Sequence, residues 1–174
     1  MVRLEEVTAI AAPLERCFDL ARSIEVHMLG NVHWGEEAVA LERMGTGGTA
    51  VEPATGLIGL GQRVTWRARH FGVRQRLTSE ITAMDAPNFF QDTMVSGAFR
   101  SMRHDHYFRT LEGGGTEMRD VFCFAAPLGV LGRVVEVLVL RRYMAALLHE
   151  RNEVVKRVAE SEDWRRYLEI QKSS

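Results

Sequence analysis

The stretch MRHDHYFRTLEGGGTEMRDVFCF (residues 102–124) decides the fold of this chain. Apolar and polar residues alternate in each of its halves with a period of two, which is the pattern of a half-buried β-strand. The run Gly113-Gly114-Gly115 separates the halves, and glycines between two such segments are typical of a hairpin turn. We therefore predict an antiparallel hairpin folded symmetrically about Gly113.

Further alternating segments precede this hairpin, so that five predicted strands occupy residues 62–126. A helical pattern then covers about residues 128–159, with apolar residues spaced three and four apart, and no strand follows it. Its second half, residues 150–160, is polar and is expected to be more exposed. A curved antiparallel sheet closed by a single C-terminal helix tends to enclose a cavity. The order of elements therefore predicts a protein that holds a small hydrophobic molecule.

The other predicted elements flank this core, and together they make one domain of residues 1–174. Pro13 is suited to the first turn of a helix, and the many glycines of residues 30–61 indicate a loop with one or two short strands. The elements are a strand over 2–10, short helices over 14–21 and 24–29, a strand within 37–43 and a short last helix over about 162–169.

Composition narrows the class of protein. The chain is 46% hydrophobic and 26% charged, and its net charge of −1 argues against a nucleic-acid-binding domain. Cys17 and Cys123 have no metal-type spacing and are expected to be reduced thiols of a cytoplasmic protein. No signal peptide is visible, and the apolar run 134–140 is too short to cross a bilayer. The glycines form no nucleotide-binding motif, and we predict no cofactor.

Three segments resemble a known superfamily: residues 70–81 (HFGVRQRLTSEI), residues 90–108 with their His-x-His-x-Phe, and residues 126–143 with their Ala-Pro-Leu-Gly start. They are similar to the ligand-binding SRPBCC superfamily of START-like proteins, polyketide cyclases and birch-pollen allergens. The resemblance covers roughly residues 2–160. It implies an α+β helix-grip fold, in which the sheet wraps around the long C-terminal helix with a cavity between them. Because members range from carriers to cyclases, it leaves the function open.

The same alternation places polar residues inside the predicted sheet. His104, His106 and Asp120 share parity with the large apolar residues of their strands. Folding about Gly113 sets His106 opposite Asp120, and folding the preceding hairpin in the same way sets His104 opposite Asp92. Paired side chains of this kind lie about 4.5–5.5 Å apart at Cβ. We therefore predict two His–Asp pairs on the concave face of the sheet.

Three hypotheses compete for these pairs. In the first, which we adopt, they form a hydrogen-bonded network that orients the polar end of a ligand or braces the sheet. In the second, His106, Asp120, His104 and Asp92 perform acid–base chemistry on a carbonyl substrate, as in a cyclase or dehydratase. In the third, His-x-His and the two carboxylates bind a metal, although the register of the acids is itself inferred. We predict no metal.

The predicted binding residues come from the inward positions of the sheet and from the long helix. They are Trp66, Gln75, Leu77, Met94, His104, His106, Phe108, Asp120, Phe122, Leu138 and Arg142. An alternative is an interaction module with a vestigial pocket. Its apolar helix face, formed by Val137, Leu140, Met144 and Leu147, would dock a partner or a second copy as a homodimer.

Overall fold

A computed structural model describes residues 1–32, 35–45, 48–70, 73–126 and 139–168. Within these ranges the chain forms eight strands and four helices. In chain order they are β1 (Val2–Ile10), α1 (Leu14–Ala21), α2 (Ile24–Gly30), β2 (Glu37–Gly45), β3 (Gly48–Glu52), β4 (Arg63–His70), β5 (Val73–Asp85), β6 (Phe89–Ser96), β7 (Ser101–Thr110), β8 (Thr116–Ala125), α3 (Arg141–Glu160) and α4 (Trp164–Leu168).

All eight strands belong to one antiparallel sheet in the order β1-β8-β7-β6-β5-β4-β2-β3. Strands β4 to β8 follow one another as hairpins. The last strand, β8, pairs with the first, β1, along the whole length of β1. The register of β7 and β8 is symmetric about Gly113, as predicted. Helix α3 packs against β1 and against α1 and α2. This is the predicted α+β helix-grip architecture.

The local sequence explains where the helices begin and which face they bury. Pro13 precedes α1, and the Ser23 hydroxyl accepts a hydrogen bond from the Val26 amide at the start of α2. Helix α3 buries a stripe of residues spaced three and four apart, which is the face that an amphipathic helix turns to a core. The stripe comprises Leu148, Arg151, Asn152, Val155, Val158 and Ala159.

The core between α1 and the sheet is centred on aromatic rings. Phe18 of α1 packs edge-on against Phe90 and Phe108, with ring centroids 5.7 and 5.6 Å away. Such edge-to-face pairs contribute about 0.5–1.5 kcal/mol beyond the burial of their area. Val155 and Val158 of α3 belong to the same cluster. This packing fixes the C-terminal half of α3 relative to β6 and β7.

Several predicted boundaries were wrong in detail. The strand assigned within residues 37–43 continues to Gly45 as β2 and pairs with a second strand, β3, through to the pair of Gly45 with Gly48. Val73 shares the parity of Leu77 on β5, yet it is 60% exposed because it is the first residue of the strand, at the end of its hairpin with β4. Helix α3 is described from Arg141 onward, so the predicted helix over 128–138 lies outside the described residues. Of the helices that are described, none is sufficiently long and apolar to span a membrane.

Candidate functional site

A cavity of about 250 Å³ lies between the concave face of the sheet and the first turns of α3. Its walls are mainly apolar, and polar side chains line the rest. The apolar residues are Ala21, Ile58, Trp66, Ala68, Leu77, Ile81, Phe90, Ala98, Phe99, Met102, Phe122, Leu140, Met144, Leu147 and Leu148. The polar ones are Arg22, Ser23, His27, Asn31, Glu36, Gln75, Arg76, Ser79, Asp92, His104, Tyr143 and Arg151.

The strand register brings the predicted histidines and acids together. His106 pairs with Asp120 across β7 and β8, and His104 pairs with Asp92 across β6 and β7, so both predicted pairings are confirmed. His106 and Asp120 are fully buried, and Asp92 is half-buried at the cavity wall. These four residues, with Arg151 and Asn152 of α3, are called the polar cluster below.

His106 bridges the two carboxylates of the polar cluster. Its Nδ1 lies 2.5 Å from Oδ1 of Asp120, and its Nε2 lies 3.2 Å from Oδ2 of Asp92. The same Oδ1 of Asp120 lies 3.0 Å from Nε2 of His104. The directions of the two contacts at Oδ1 depart from ideal hydrogen-bond geometry, whereas the His106–Asp92 contact satisfies it. One buried carboxylate oxygen thus faces both imidazole rings.

Helix α3 completes the polar cluster. The Arg151 guanidinium donates to Nδ1 of His104 at 3.3 Å and to the Ala21 carbonyl oxygen at 3.2 Å. Because a guanidinium has no acceptor, Nδ1 of His104 must carry a lone pair, which places the ring proton on Nε2, facing Asp120. The Asn152 amide donates to the second oxygen of Asp120 at 2.7 Å. Both rings and Asp120 are therefore each held by at least two partners.

Sequence reasoning missed this helical half of the site. We predicted that residues 150–160 would be polar and exposed, but Arg151 and Asn152 are 7% and 1% exposed. The error has a simple cause: charged and amide residues were assigned to solvent by type. Residues 148, 151, 152 and 155 are spaced three and four apart, as on one face of a helix. Because Leu148 and Val155 are apolar, this spacing could have shown that Arg151 and Asn152 lie on the buried face.

The pKa values in the polar cluster diverge. Burial, the charge of His106 and the charge of Arg151 lower the pKa of His104 to about 4, against the opposing effect of Asp120. Burial also favours a neutral His106, but the charge of Asp120 and the contacts with both acids outweigh it and raise the pKa of His106. The two pKa values are shifted in opposite directions, so at a pH between them His104 is neutral while His106 is cationic.

Both carboxylates of the polar cluster stay ionised. Burial favours the protonated acid in each case. The charge of His106 and the contacts with both rings nevertheless hold the pKa of Asp120 well below its ordinary value. The bond from His106, together with the charges of both histidines and of Arg151, lowers the pKa of Asp92. With His106 and Arg151 positive and the two acids negative, the polar cluster carries no net charge.

A second polar region lines the cavity near α2. The Asn31 amide donates to Oε2 of Glu36, and Nε2 of His27 lies 3.5 Å from the same oxygen. The His27 ring stacks on Trp66 at 4.1 Å between centroids. Burial and the nearby charge of Glu36 raise the pKa of Tyr143. Sequence analysis did not find this region, because its residues lie in or beside the glycine-rich segment that shows no clear period.

The predicted binding residues divide into four groups. Those that line the cavity are Trp66, Gln75, Leu77, His104 and Phe122. Those that lie away from its wall are Met94, His106, Phe108 and Asp120: Met94 and Phe108 pack in apolar clusters, and the other two lie within the polar cluster behind His104. Arg142 is exposed and does not reach the cavity. Leu138 lies outside the described residues.

The helix face proposed for docking lines the cavity instead. Leu140, Met144 and Leu147 all contribute to its wall, and Val137 lies outside the described residues. A wider, π-type turn at Val139 and Leu140 precedes α3. Such a turn changes the angular phase of the residues that follow it. A helical phase extrapolated from residue 128 therefore misplaced this face.

Comparison with known proteins places the fold. Neither a protein-family model nor a curated protein sequence matches this chain. Among solved structures, TTHA0849 from Thermus thermophilus is 22% identical over 88% of this chain and 97% of its own, with a TM-score of 0.63. A START superfamily protein from Mycobacterium smegmatis is 14% identical over 87% and 97%, with a TM-score of 0.56. The major latex-like protein 151 of Panax ginseng is 14% identical over 92% and 98%, with a TM-score of 0.59.

Proposed function

Because this chain has the helix-grip fold of START-like proteins, we propose that it binds a small amphipathic molecule in the cavity between its sheet and α3. The cavity itself carries the proposal. A protein interior is normally packed to the density of an organic crystal, and voids larger than a water molecule are few. An apolar compartment of about 250 Å³ is far larger than a packing defect.

The cavity walls indicate the shape of the ligand. Its volume lies just below the range of roughly 300–1,000 Å³ that is typical of small-molecule sites. The side toward α3 is aliphatic, with Leu147 and Leu148, while Phe122 and Trp66 present aromatic surface from the sheet. A compact molecule with a short chain or one or two rings fits this space better than a long-chain lipid.

The polar end of the ligand is expected at the polar cluster. Arg151 and Asp92 line the cavity there, and the two hydrogen bonds of Arg151 to His104 and Ala21 use only part of its five N–H donors. Because the charges of the polar cluster balance, a buried carboxylate would add an uncompensated charge, which is costly. We therefore expect a neutral acceptor at this end, such as a carbonyl or hydroxyl group.

Ligand-dependent stability tests the proposal. Native mass spectrometry of the protein as isolated identifies any molecule that co-purifies. Thermal unfolding is then followed with 2-octanone, 1-octanol, octanoate and octane as probes. A ligand at one hundred times its Kd stabilises the fold by about 2.7 kcal/mol, or roughly 5–10 °C in Tm for a chain of this size. We expect the ketone or alcohol to exceed both octane and octanoate.

A matched pair of variants locates the binding. Ala68→Phe projects a phenyl group into the cavity from β4, whereas Val73→Phe adds the same group at an exposed position of β5. The first should abolish the ligand-induced rise in Tm and the second should retain it. Equal responses of the two variants, or no response of the wild type to any of the four probes, would count against a ligand-binding cavity.

A specific observation also supports the enzyme as a second candidate. Asp120, His106 and Asp92 form a continuous chain of contacts, and its last carboxylate lies at the cavity wall. A carboxylate oriented by a charged imidazole is an arrangement used in acid–base catalysis. The neutral His104 is a poorer base, because its Nδ1 is occupied by Arg151. In this function Asp92 would exchange the proton and His106 would be a positioning residue.

Turnover separates the carrier from the enzyme. Identification of the bound molecule supplies the substrate to assay, by mass spectrometry of the products. The enzyme requires that Asp92→Asn lose turnover by several orders of magnitude while the ligand-induced Tm shift remains. His106→Gln should displace the pH profile of kcat, an effect that a purely structural role would not produce. If the ligand is unchanged after long incubation with the wild type, the enzyme hypothesis is rejected and the carrier hypothesis remains.

Other predictions for the whole chain stand as lesser proposals. We propose one START-like domain over residues 1–174, a cytoplasmic location and a monomer, in place of the homodimer that the sequence allowed. The placement of Leu140, Met144 and Leu147 in the cavity removes the apolar surface on which the dimer and the interaction module were based. Light scattering coupled to gel filtration should therefore give the mass of a monomer.

A further inference from the structure

Asp92, His104 and His106 each bring a potential metal ligand to one part of the polar cluster. One ligand atom from each residue lies within 4.8 Å of the other two. Oδ2 of Asp92 is 3.2 Å from Nε2 of His106 and 3.9 Å from Nδ1 of His104. Two ligands of a tetrahedral metal with bonds of about 2.0–2.1 Å are about 3.3 Å apart. The first pair already has this separation, and the second exceeds it by about 0.6 Å.

The opposite nitrogens of the two rings face one buried carboxylate. Oδ1 of Asp120 lies 2.5 Å from Nδ1 of His106 and 3.0 Å from Nε2 of His104, while Asn152 holds the other oxygen. A histidine that binds a metal usually directs its other N–H to a carboxylate, which fixes the tautomer and the ring orientation. A single acid here serves both rings. If the two histidines only stabilised the sheet, their contacts with Asp120 would be sufficient. Nε2 of His106 and Nδ1 of His104 would not also need to point toward Asp92.

From this geometry we propose that Asp92, His104 and His106 bind a divalent first-row transition metal. Two imidazoles and one carboxylate suit zinc and also iron(II). Asp92 and His104 line the cavity, so an ion bound by them would be accessible from the cavity. This proposal adopts the third hypothesis of the sequence analysis in place of the prediction of no metal. It does not depend on the proposed ligand, because the ion alone is sufficient to test it.

Arg151 is expected to weaken metal binding at this site. Its guanidinium donates to Nδ1 of His104, the atom that the metal would take, and its charge repels a cation. On binding, Arg151 gives up that bond while its bond to the Ala21 carbonyl can remain, and His106 releases its Nε2 proton to solvent. Arg151→Met should therefore tighten metal binding, by about tenfold. A polar cluster with a structural role alone predicts no such gain.

The test uses protein freed of metal by a chelator and lacking any histidine tag. Titration calorimetry with Zn²⁺ and absorption spectroscopy with Co²⁺ should show one ion per chain, with visible d–d bands of a low-coordinate site. Asp92→Asn should weaken binding at least a hundredfold, and Asp120→Asn by about 10–100-fold because it orients both rings. His149→Gln alters an exposed histidine paired with Glu6 and should leave the affinity unchanged.

Several outcomes would overturn the site. Absence of stoichiometric binding by the wild type is one, and Asp92→Asn with the affinity of the wild type is another. A loss of affinity in His149→Gln would assign the ion to the surface. Circular dichroism checks the fold of each variant. If an acid variant fails to fold, the Co²⁺ spectrum of the wild type and the affinity of Arg151→Met decide, and weaker binding by Arg151→Met refutes the proposal.

Discussion

Acidification of the metal-free protein should destabilise it through one residue, His104. The pKa of this ring falls from its ordinary value of 6.5 to about 4 in the folded chain, first because burial disfavours the charged ring. Between these values the unfolded chain binds a proton that the folded chain refuses. The free energy of unfolding therefore decreases as the pH falls from 6.5 to 4. At about 1.4 kcal/mol per pH unit, this interval corresponds to about 3 kcal/mol.

Other buried groups of the polar cluster act in different pH windows. The raised pKa of His106 gives a stabilisation that is complete below pH 6.5 and is lost as the pH rises through the folded pKa. The lowered pKa values of Asp92 and Asp120 give a stabilisation that is present above their ordinary value of 3.8 and is lost as the pH falls through the folded values. The change in the free energy of unfolding between pH 6.5 and 4 is therefore expected to come mainly from His104.

Urea unfolding followed by circular dichroism, at pH 7, 6, 5 and 4 with a chelator present, measures this effect. His104→Gln removes the titrating ring, so its stability should vary with pH by about 3 kcal/mol less than that of the wild type over this interval. His149→Gln is the control, because that ring is exposed and its pKa is raised, first by the bond to Glu6. If the wild type and His104→Gln lose stability in parallel, the assignment of a neutral buried His104 is refuted.

Three further perturbations probe the packing around the site. Asn152→Ala removes the 2.7 Å donor to the buried Asp120 carboxylate and should lower the free energy of unfolding in urea by about 1–3 kcal/mol. Gly30→Ala places a Cβ 3.0 Å from the Cα of Arg151, and the resulting separation of α2 from α3 should cost about 1–3 kcal/mol, measured as a lower Tm. Burial raises the pKa of the Cys17 thiol, so peptide mapping should show Cys17 labelled by a disulfide reagent only in denaturant.

Each of these perturbations has a contrasting measurement. Glu153→Ala changes the exposed neighbour of Asn152 and should leave stability within about 0.5 kcal/mol of the wild type. Gly59→Ala meets only ordinary contacts, at 3.6 Å from Gln62, and should be tolerated better than Gly30→Ala. Equal losses within either pair, or rapid labelling of Cys17 in the native protein, would contradict the packing described above.

The strand half of the site was predictable because sheet geometry is regular. A period of two assigns each residue to a face, and a glycine turn fixes the register, so His106 and Asp120 could be paired from sequence alone. The same rule could not show that His106 also contacts Asp92 on the neighbouring strand β6. That contact is diagonal to the strand register and depends on the side-chain rotamers. It also could not tell which inward residues reach the cavity and which, like Phe108, fill solid core.

The helix half was not predictable to the same degree. The rotation of α3 depends on the turn that precedes it, so Arg142 was assigned to a wall that Leu140 and Met144 form instead. The region near α2 was hidden for another reason. His27 and Glu36 approach each other through an irregular connection, and such segments carry no periodic signal from which contacts follow.

The polar cluster combines contacts of short and of long range along the chain. Asp120 lies on the hairpin of β7 and β8, whereas Asn152 can reach it only when α3 is packed against the sheet. A chain with the sheet assembled and the helix still detached would leave that acid and its two imidazoles open to water. The part of their pKa shifts that comes from burial would then be lost. The imidazole signals of the two rings should therefore serve in NMR as a reporter of helix docking, distinguishing a closed protein from a collapsed but unfinished one.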